Sequence, residues 1–288
     1  MRPLCVVLLS LCAPLVATAV RAADRPLPHV VSLNLCTDLQ LLLLADPAQI
    51  ASLTWLASDQ RSSPLAAEAR RYPANRGLTE EILPLAPDVV LVGSYTARFT
   101  VDLLRRLGVR VVEVAPAESL AEIEDRMLAI GSAIGQRARA LRLNAAFRAE
   151  LARTADVWRS AARAAGQLPS AVLIGAGGFA GGTDTLSGDV LRHVGLRNVV
   201  GSGGDQAWGR FSIEDLLRLR PDVLVIAIDP SDRPAPSLAF ESLNHPAIRA
   251  GSLGMQRLQI PATYWSCGTP LVARAAALLA AAAPPSGS

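Results

Sequence analysis

Histidine, cysteine and the aromatics are scarce in this chain, and each shortage removes a class of function. The three histidines, at positions 29, 193 and 245, are dispersed, and the four cysteines show no CxxC spacing, so a structural zinc site has no ligand set. No G-x-S-x-G elbow is present and no pair of acids sits in an obvious loop pocket, which leaves catalysis without a constellation. Aromatics make up 4% of the chain and the formal charge is only +3, with no basic stripe interleaved with aromatics; nucleic acid is excluded as a partner.

What is present is apolar and abundant. Half of the 288 residues are hydrophobic, enough for one large or two modest domains with a substantial core. Met1-Arg2-Pro3 followed by the run Leu4 to Val20 reads as an export leader, interrupted by Pro14 and too weakly flanked for a membrane span. Val20-Arg21-Ala22 offers the small residues of a cleavage site after Ala22, so the mature protein is expected to be soluble and periplasmic, carrying Cys36 and Cys267.

One stretch occurs twice. The run from Leu78 to Val92 returns from Phe211 to Val225, with Glu80, Pro87 and Asp88 matching Glu214, Pro221 and Asp222 at a constant offset of 134 residues. Each copy reads as a short helix, with Thr79 or Ser212 as N-cap and acids in the first turn. A proline then blocks helix continuation and Asp leads a buried β-branched strand. Two such units half a chain apart predict two similar Rossmann-like α/β lobes with a ligand cleft between them.

The first lobe is assigned to residues 29–117. It opens with strand His29 to Leu33, the turn Asn34 to Thr37, and a helix Leu39 to Ala45 capped by Asp38. Strand Ile50 to Trp55, an irregular polar segment Ser58 to Pro64, the first repeat copy, a helix near Arg98 to Leu107 and strand Val109 to Val114 follow. Residues 118–166 carry almost no proline or strand signal and read as one long or once-bent helix, a spine of roughly 60 Å at 1.5 Å per residue. The second lobe, 167–283, begins with strand Ala171 to Ile174. Gly175-Ala176-Gly177-Gly178-Phe179-Ala180 then fits the dinucleotide fingerprint. That reading needs a helix to begin inside the glycines, whereas Gly181 to Thr185 keep the chain in a loop, so an exported NAD-type oxidoreductase is a distant alternative. A glycine-rich loop ending at Trp208, strand Val223 to Ile228, a Pro-rich loop to Pro236, a short helix near His245, strand Arg257 to Ile260, the loop Ala262 to Pro270 and an amphipathic helix complete the alternation; residues 284–288 are assigned to a disordered tail.

The leader, the turn Ser32 to Thr37, the paired helix-Pro-Asp-strand units, the spine and the last aromatic loop together resemble the periplasmic substrate-binding proteins of ABC importers, in pattern those for cobalamin and ferric siderophores. The resemblance implies two lobes joined by one long helix, no enzymatic activity, no cofactor, and a monomer that delivers a large metal chelate to a permease dimer in the inner membrane. It implies that Glu80 and Glu214 dock on permease arginines, and that Trp208 and the pair Tyr264-Trp265 touch the ligand. The chain departs from the cobalamin pattern at Ala74, where a tryptophan is expected, and in its cysteines. The chelate is therefore left unnamed, and heme is the alternative.

Without the family, strand-end loops still favour the same cleft, because ligands of open α/β sheets sit outside the carboxyl ends of the strands. The candidate ligand-binding set is Asn34, Leu35, Cys36, Trp55, Trp208, Tyr264, Trp265 and Cys267, whereas Trp158 on the spine reads as structural. Cys36 and Cys267 fall in cleft loops of opposite lobes, so a facing pair is the leading expectation. Disulfide, ligand-contacting thiols and separate thiols stay open.

Overall fold

The computed structural model describes residues 26–162, 166–201, 208–228 and 254–285; the leader, the Pro-rich loop to Pro236 and the expected helix near His245 lie outside them. The first sheet holds β1 (Val30–Ser32), β2 (Ile50–Thr54), β3 (Ala74–Asn75), β4 (Val89–Gly93) and β5 (Val111–Val114), all parallel, in the order β3-β2-β1-β4-β5. Val30, Val31 and Val89 to Val92 are buried, as a sheet covered on both faces requires. Four helices serve it: α1 (Leu35–Leu44), α2 (Ala66–Ala69), α3 (Thr79–Ile82) and α4 (Arg98–Arg106). Chain order reverses between β1 and β4, which opens a crevice at their carboxyl ends.

Where composition predicts one long or once-bent spine helix over 118–166, the described residues form three: α5 (Leu120–Ala133), α6 (Arg137–Ala152) and α7 (Val157–Ala161). Gly135, at φ +77°, turns the chain back. A Cβ on Gly131 would stand 2.7 Å from the Ala140 Cβ, so only glycine admits the close approach of α5 and α6. Asn144 Nδ2 donates to Glu124 O at 2.9 Å further along, as an antiparallel pair requires. The two glycines register in sequence as a propensity cost, but they mark a hairpin. The bridging role survives in shorter pieces. Arg139 on α6 donates to Leu44 O and Ala45 O at the end of α1, while Trp158 on α7, 3% exposed, donates its Nε1–H to Leu279 O in the second lobe.

The second sheet holds β6 (Ser170–Ile174), β7 (Phe179–Gly181), β8 (Arg197–Asn198), β9 (Trp208–Arg210), β10 (Val223–Ile228) and β11 (Gln256–Pro261). Its order is β11-β10-β6-β7-β9, with β8 beside β6, and among the described residues the lobe also holds α8 (Leu186–His193), α9 (Ile213–Leu219) and α10 (Val272–Ala281). It differs from the first sheet because β7 runs antiparallel to both neighbours. Gly177 and Gly178, at φ +72° and +76°, reverse the chain after β6, and α8 begins only after the Thr185 cap. The glycines that imitate a dinucleotide fingerprint therefore build a single 3-10 turn, and no α-helix begins among them.

The repeat is structural as well as sequential. Asp88 accepts from the His29 N–H and Asp222 from the Ser170 N–H, both at 2.7 Å, so each aspartate ties the start of its strand to the neighbouring parallel strand, β4 to β1 and β10 to β6. Ala86 and Arg220, again 134 residues apart, both take left-handed φ, 42° and 41°. That conformation costs a non-glycine residue about 1 kcal/mol, so its recurrence reflects the shared turn. Ser212 caps α9 in a reciprocal box with Asp215 as expected, but Thr79 does not cap α3. Leu78 holds that position, and Glu81 instead reaches back to the Arg76 N–H at 2.6 Å. The largest buried cluster runs through both lobes, from Val30 and Leu41 through Met127 and Phe147 to Val225 and Ala276.

Asp38 also departs from the sequence expectation. Asn34 caps α1, and Asp38 sits fully buried one turn in, accepting from Thr54 N at 3.2 Å and bonded to Thr54 Oγ1 at 2.5 Å. Burial pushes its carboxyl from 3.8 up to about 7, against the opposing pull of hydrogen bonds from Thr54 and Ser32. Between these values the folded chain keeps a proton that the unfolded chain releases. The contribution is fully present below pH 4 and is lost as pH rises through 7, a change of about 4 kcal/mol. Asp38→Asn keeps an acceptor for the Thr54 N–H and offers a donor to its hydroxyl, so it should flatten this slope. Urea unfolding at pH 5 and pH 8 measures the effect, and an unchanged slope would place the titration elsewhere.

Candidate functional site

A cleft of about 910 Å³ opens between the two sheets, and its walls are the carboxyl ends of six strands. Asn34, Cys36 and Thr37 follow β1, Ser94 and Tyr95 follow β4, and Ala115 to Glu118 follow β5. From the second lobe, Gly175 and Phe179 follow β6, Ala227 lies near the end of β10, and Ala262, Trp265, Ser266 and Gly268 follow β11. Asn34 Oδ1 accepts from Cys36 N at 2.9 Å, capping α1 beside the switch point. Its side chain fits there because Gly93 lacks a Cβ, which would stand 2.8 Å from Asn34 Cγ.

Cys36 and Cys267, separated by 231 residues, are joined as a disulfide with their Cα atoms 5.0 Å apart. The expected facing pair is thus present in its oxidised form: Cys36 lines the cleft, and Cys267 is buried behind it. Gln40, one turn further along α1, donates its Nε2–H to Gly268 O at 3.2 Å and pins the same loop to the first lobe.

Of the candidate residues, Asn34, Cys36 and Trp265 line the cleft. Leu35, Trp55, Tyr264 and Cys267 do not. Trp55 opens a single 3-10 turn, half-exposed, and Tyr264 packs on the shared core with the Arg274 guanidinium 5.9 Å above its ring. Trp208 stands in β9 opposite Gly181, and its side chain is outside the described residues. Glu80 and Glu214 are exposed on α3 and α9.

Sequence reasoning missed Gln40, Arg61, Tyr95 and Phe179. Tyr95 lies two residues after β4, where the strand-end rule applied to every strand would have found it, and Phe179 opens β7 on the far side of the turn after β6. Tyr95 is 89% exposed, and the Arg210 guanidinium lies 6.0 Å over the Phe179 ring. Arg61 comes from the irregular segment after β2 and faces Asp59 at 3.5 Å. Hydrogen bonding from Arg61 N holds the Asp59 carboxyl below the usual range, so it stays ionised against that cation. Gln40 is hidden by composition, a polar residue inside the leucine-rich run of α1. Gln40 and Trp265 line the cleft, while Gln40 Oε1 and Trp265 Nε1 are themselves buried without a hydrogen-bond partner. Among the described residues no group of three or more His, Cys, Asp or Glu could hold a metal ion, and no helix is long and apolar enough to cross a membrane.

Comparison with known proteins gives this geometry a context. Residues 30–238 match a family model described as periplasmic binding protein. No curated protein matches the sequence. Among solved structures, a periplasmic heme-binding protein of Roseiflexus sp. RS-1 in apo form is 20% identical, with 88% of this chain and 96% of that one covered at a TM-score of 0.67. A periplasmic heme-binding protein of Pseudomonas aeruginosa is 24% identical, with coverages of 91% and 95% and a TM-score of 0.66. The periplasmic vitamin B12-binding protein of Vibrio cholerae is 18% identical, with coverages of 89% and 96% and a TM-score of 0.64. At these identities the likeness is one of fold.

Proposed function

We propose that this chain, which belongs to the periplasmic binding protein family, is the solute-binding component of an ABC importer and that its cleft captures one large metal chelate, a ferric siderophore or a corrinoid. The family binds solutes and is not enzymatic, and its membership makes the chain a periplasmic ligand binder. The observation that carries the ligand class is the cleft itself: about 910 Å³, at the upper end for small-molecule sites, with Tyr95, Phe179 and Trp265 offering aromatic faces from both lobes. A continuous core through both lobes and a disulfide between them suit a clamp that moves little. Heme is the second reading, since two of the similar structures named above are heme binders.

Delivery to a permease rests on the two repeat glutamates. Glu80 and Glu214 occupy the same position in their helices, two residues after the N-caps Leu78 and Ser212, and each is the free acid of a pair. Their neighbours are engaged, Glu81 with Arg76 and Asp215 with Ser212 and Arg218, whereas Glu80 and Glu214 make no ion pair among the described residues.

Protein lacking residues 1–22 should bind one equivalent of a chelate, with quenching of tryptophan fluorescence and a rise in Tm when screened against cyanocobalamin, hemin and several ferric siderophores. Trp208→Ala and Trp265→Ala should each lower affinity by about 2 kcal/mol or more, the loss usual for a packed aromatic anchor. A Soret band on hemin addition would favour the heme reading. No thermal shift with any of the three classes would overturn the proposal, and unchanged affinity in both variants would move the site elsewhere.

A further inference from the structure

We infer that the Cys36–Cys267 bridge is a thiol-exchange site, opened from the cleft by attack of a vicinal dithiol on Cys36 Sγ, and that its opening loosens the second-lobe wall of the cleft. The two cysteines are unequally placed. Cys36 lines the cleft and is half-buried, whereas Cys267 does not line it and is 3% exposed. Exchange requires the incoming thiolate to reach the sulfur it attacks, so access assigns the first step to Cys36. In protein lacking residues 1–22 these two are the only cysteines, so no other thiol competes for either sulfur.

The fold then decides which class of thiol succeeds. In the first step the thiolate bonds to Cys36 Sγ, the bridge breaks, and Cys267 leaves with the electron pair and takes up a proton. A monothiol stops at this mixed disulfide. Cys267 attacks back and expels it, because the fold keeps the two residues together: their Cα atoms are 5.0 Å apart in the bridge, and Gln40 Nε2–H donates to Gly268 O at 3.2 Å beside it. A vicinal dithiol carries a second thiol that attacks its own bonded sulfur and expels Cys36. Two electrons and two protons pass to the protein, and the reagent departs as a cyclic disulfide. Cys36 leaves readily in that step because it stands in the first turn of the ten-residue α1, where the helix dipole favours a thiolate. Opening acts on the loop after β11, whose Trp265, Ser266 and Gly268 line the cleft. Once the bridge is broken, the Gln40 hydrogen bond and the packing of Tyr264 and Trp265 on the shared core still hold that loop, without a covalent tie to the first lobe.

The test incubates the folded protein lacking residues 1–22 with reduced glutathione, dithiothreitol or a reduced CxxC protein, then quenches in acid, alkylates and maps the thiols by mass. Dithiothreitol should open the bridge at a rate proportional to its concentration and above the rate of global unfolding, and glutathione at equal thiol concentration should open at least about tenfold less. Trapped mixed disulfides should sit on Cys36. Opening by the CxxC protein as well would identify a protein as the source of the dithiol, and opening by dithiothreitol alone a small molecule; either supports the inference. In the opened protein, amide hydrogen exchange over 262–268 should quicken at least about tenfold while the sheet strands stay protected. Among single variants, the Cys36 thiol left by Cys267→Ser should react with an aromatic disulfide at least about tenfold faster than the Cys267 thiol left by Cys36→Ser. If either variant fails to fold, mapping on the unaltered protein carries the test. Mixed disulfides chiefly on Cys267, or an opening rate that levels off at the unfolding rate, would overturn the exchange site, and unchanged exchange over 262–268 would overturn the loosening. No arm contains a chelate, so failure here leaves the solute-binding reading standing.

Discussion

Replacing Cys36 and Cys267 together with serine should lower Tm by about 10 °C and remove roughly 4–5 kcal/mol of stability. The bond closes a loop of 231 residues, and the entropy removed from the unfolded chain by a closure of that length is about 5 kcal/mol at room temperature. For a chain of this size each kcal/mol is worth about 2–4 °C. Serine at both positions leaves no unpaired thiol, whereas a single replacement would add a reactive group to the loss. The bridge joins the first turn of α1 to the loop after β11, so removing it frees opposite lobes at the cleft rather than two points within one lobe. Gln40 and the shared core still hold the lobes, which should keep the variant folded at 25 °C. The measurement is denaturant unfolding of both proteins at pH 5, with the unaltered protein also run in a dithiol reductant. A loss under about 1 kcal/mol in both arms would mean that lobe packing alone fixes the geometry.

Much of this fold is legible in the sequence, because its information is local. Pro87-Asp88 and Pro221-Asp222 mark strand starts through two independent properties: proline cannot continue a helix, and aspartate accepts from the start of the neighbouring strand. Seven of the described strands lie close to where their β-branched residues place them, whereas β3, β7, β8 and β9, two or three residues long and without such a residue, leave no run to read. The spine was illegible for a different reason. Helix propensity falls a little at any glycine, and Gly131 and Gly135 give the same signal whether the helix bends or folds back. Only the Ala140 contact decides, and that partner is supplied by the returning helix. The disulfide is similar, since two cysteines at opposite ends of a chain meet only through packing of the lobes. At the cleft, aromatic loop residues drew notice while Gln40 stayed hidden inside α1. The strand-end rule reaches loops, but a helix that starts at a strand end also turns a second residue, one turn on, toward the same cleft.

Reversing both repeat glutamates, Glu80→Arg with Glu214→Arg, should abolish uptake of the bound chelate by cells while leaving its affinity for the isolated protein unchanged. The alternative is local: an acid in the first turn favours its own helix dipole, a contribution under about 1 kcal/mol at an exposed site. That role would cost the double variant a little stability and nothing in transport. The structure separates the acids of each unit by what they do. Glu81 holds the turn before α3 and Asp215 holds the cap of α9, so the local work has owners, and Glu80 and Glu214 are left exposed at matching positions on two equivalent helices. A pair of like charges, one per lobe, is what a two-subunit permease can read with one arginine-lined pocket in each half, and a charge-reversed pair meets repulsion at both. Each single reversal should therefore retain intermediate uptake. Cells whose own copy has been removed, supplied with each variant and with labelled ligand, provide the measurement alongside affinity of the purified proteins. Normal uptake by the double variant at unchanged affinity would reject docking through these helices.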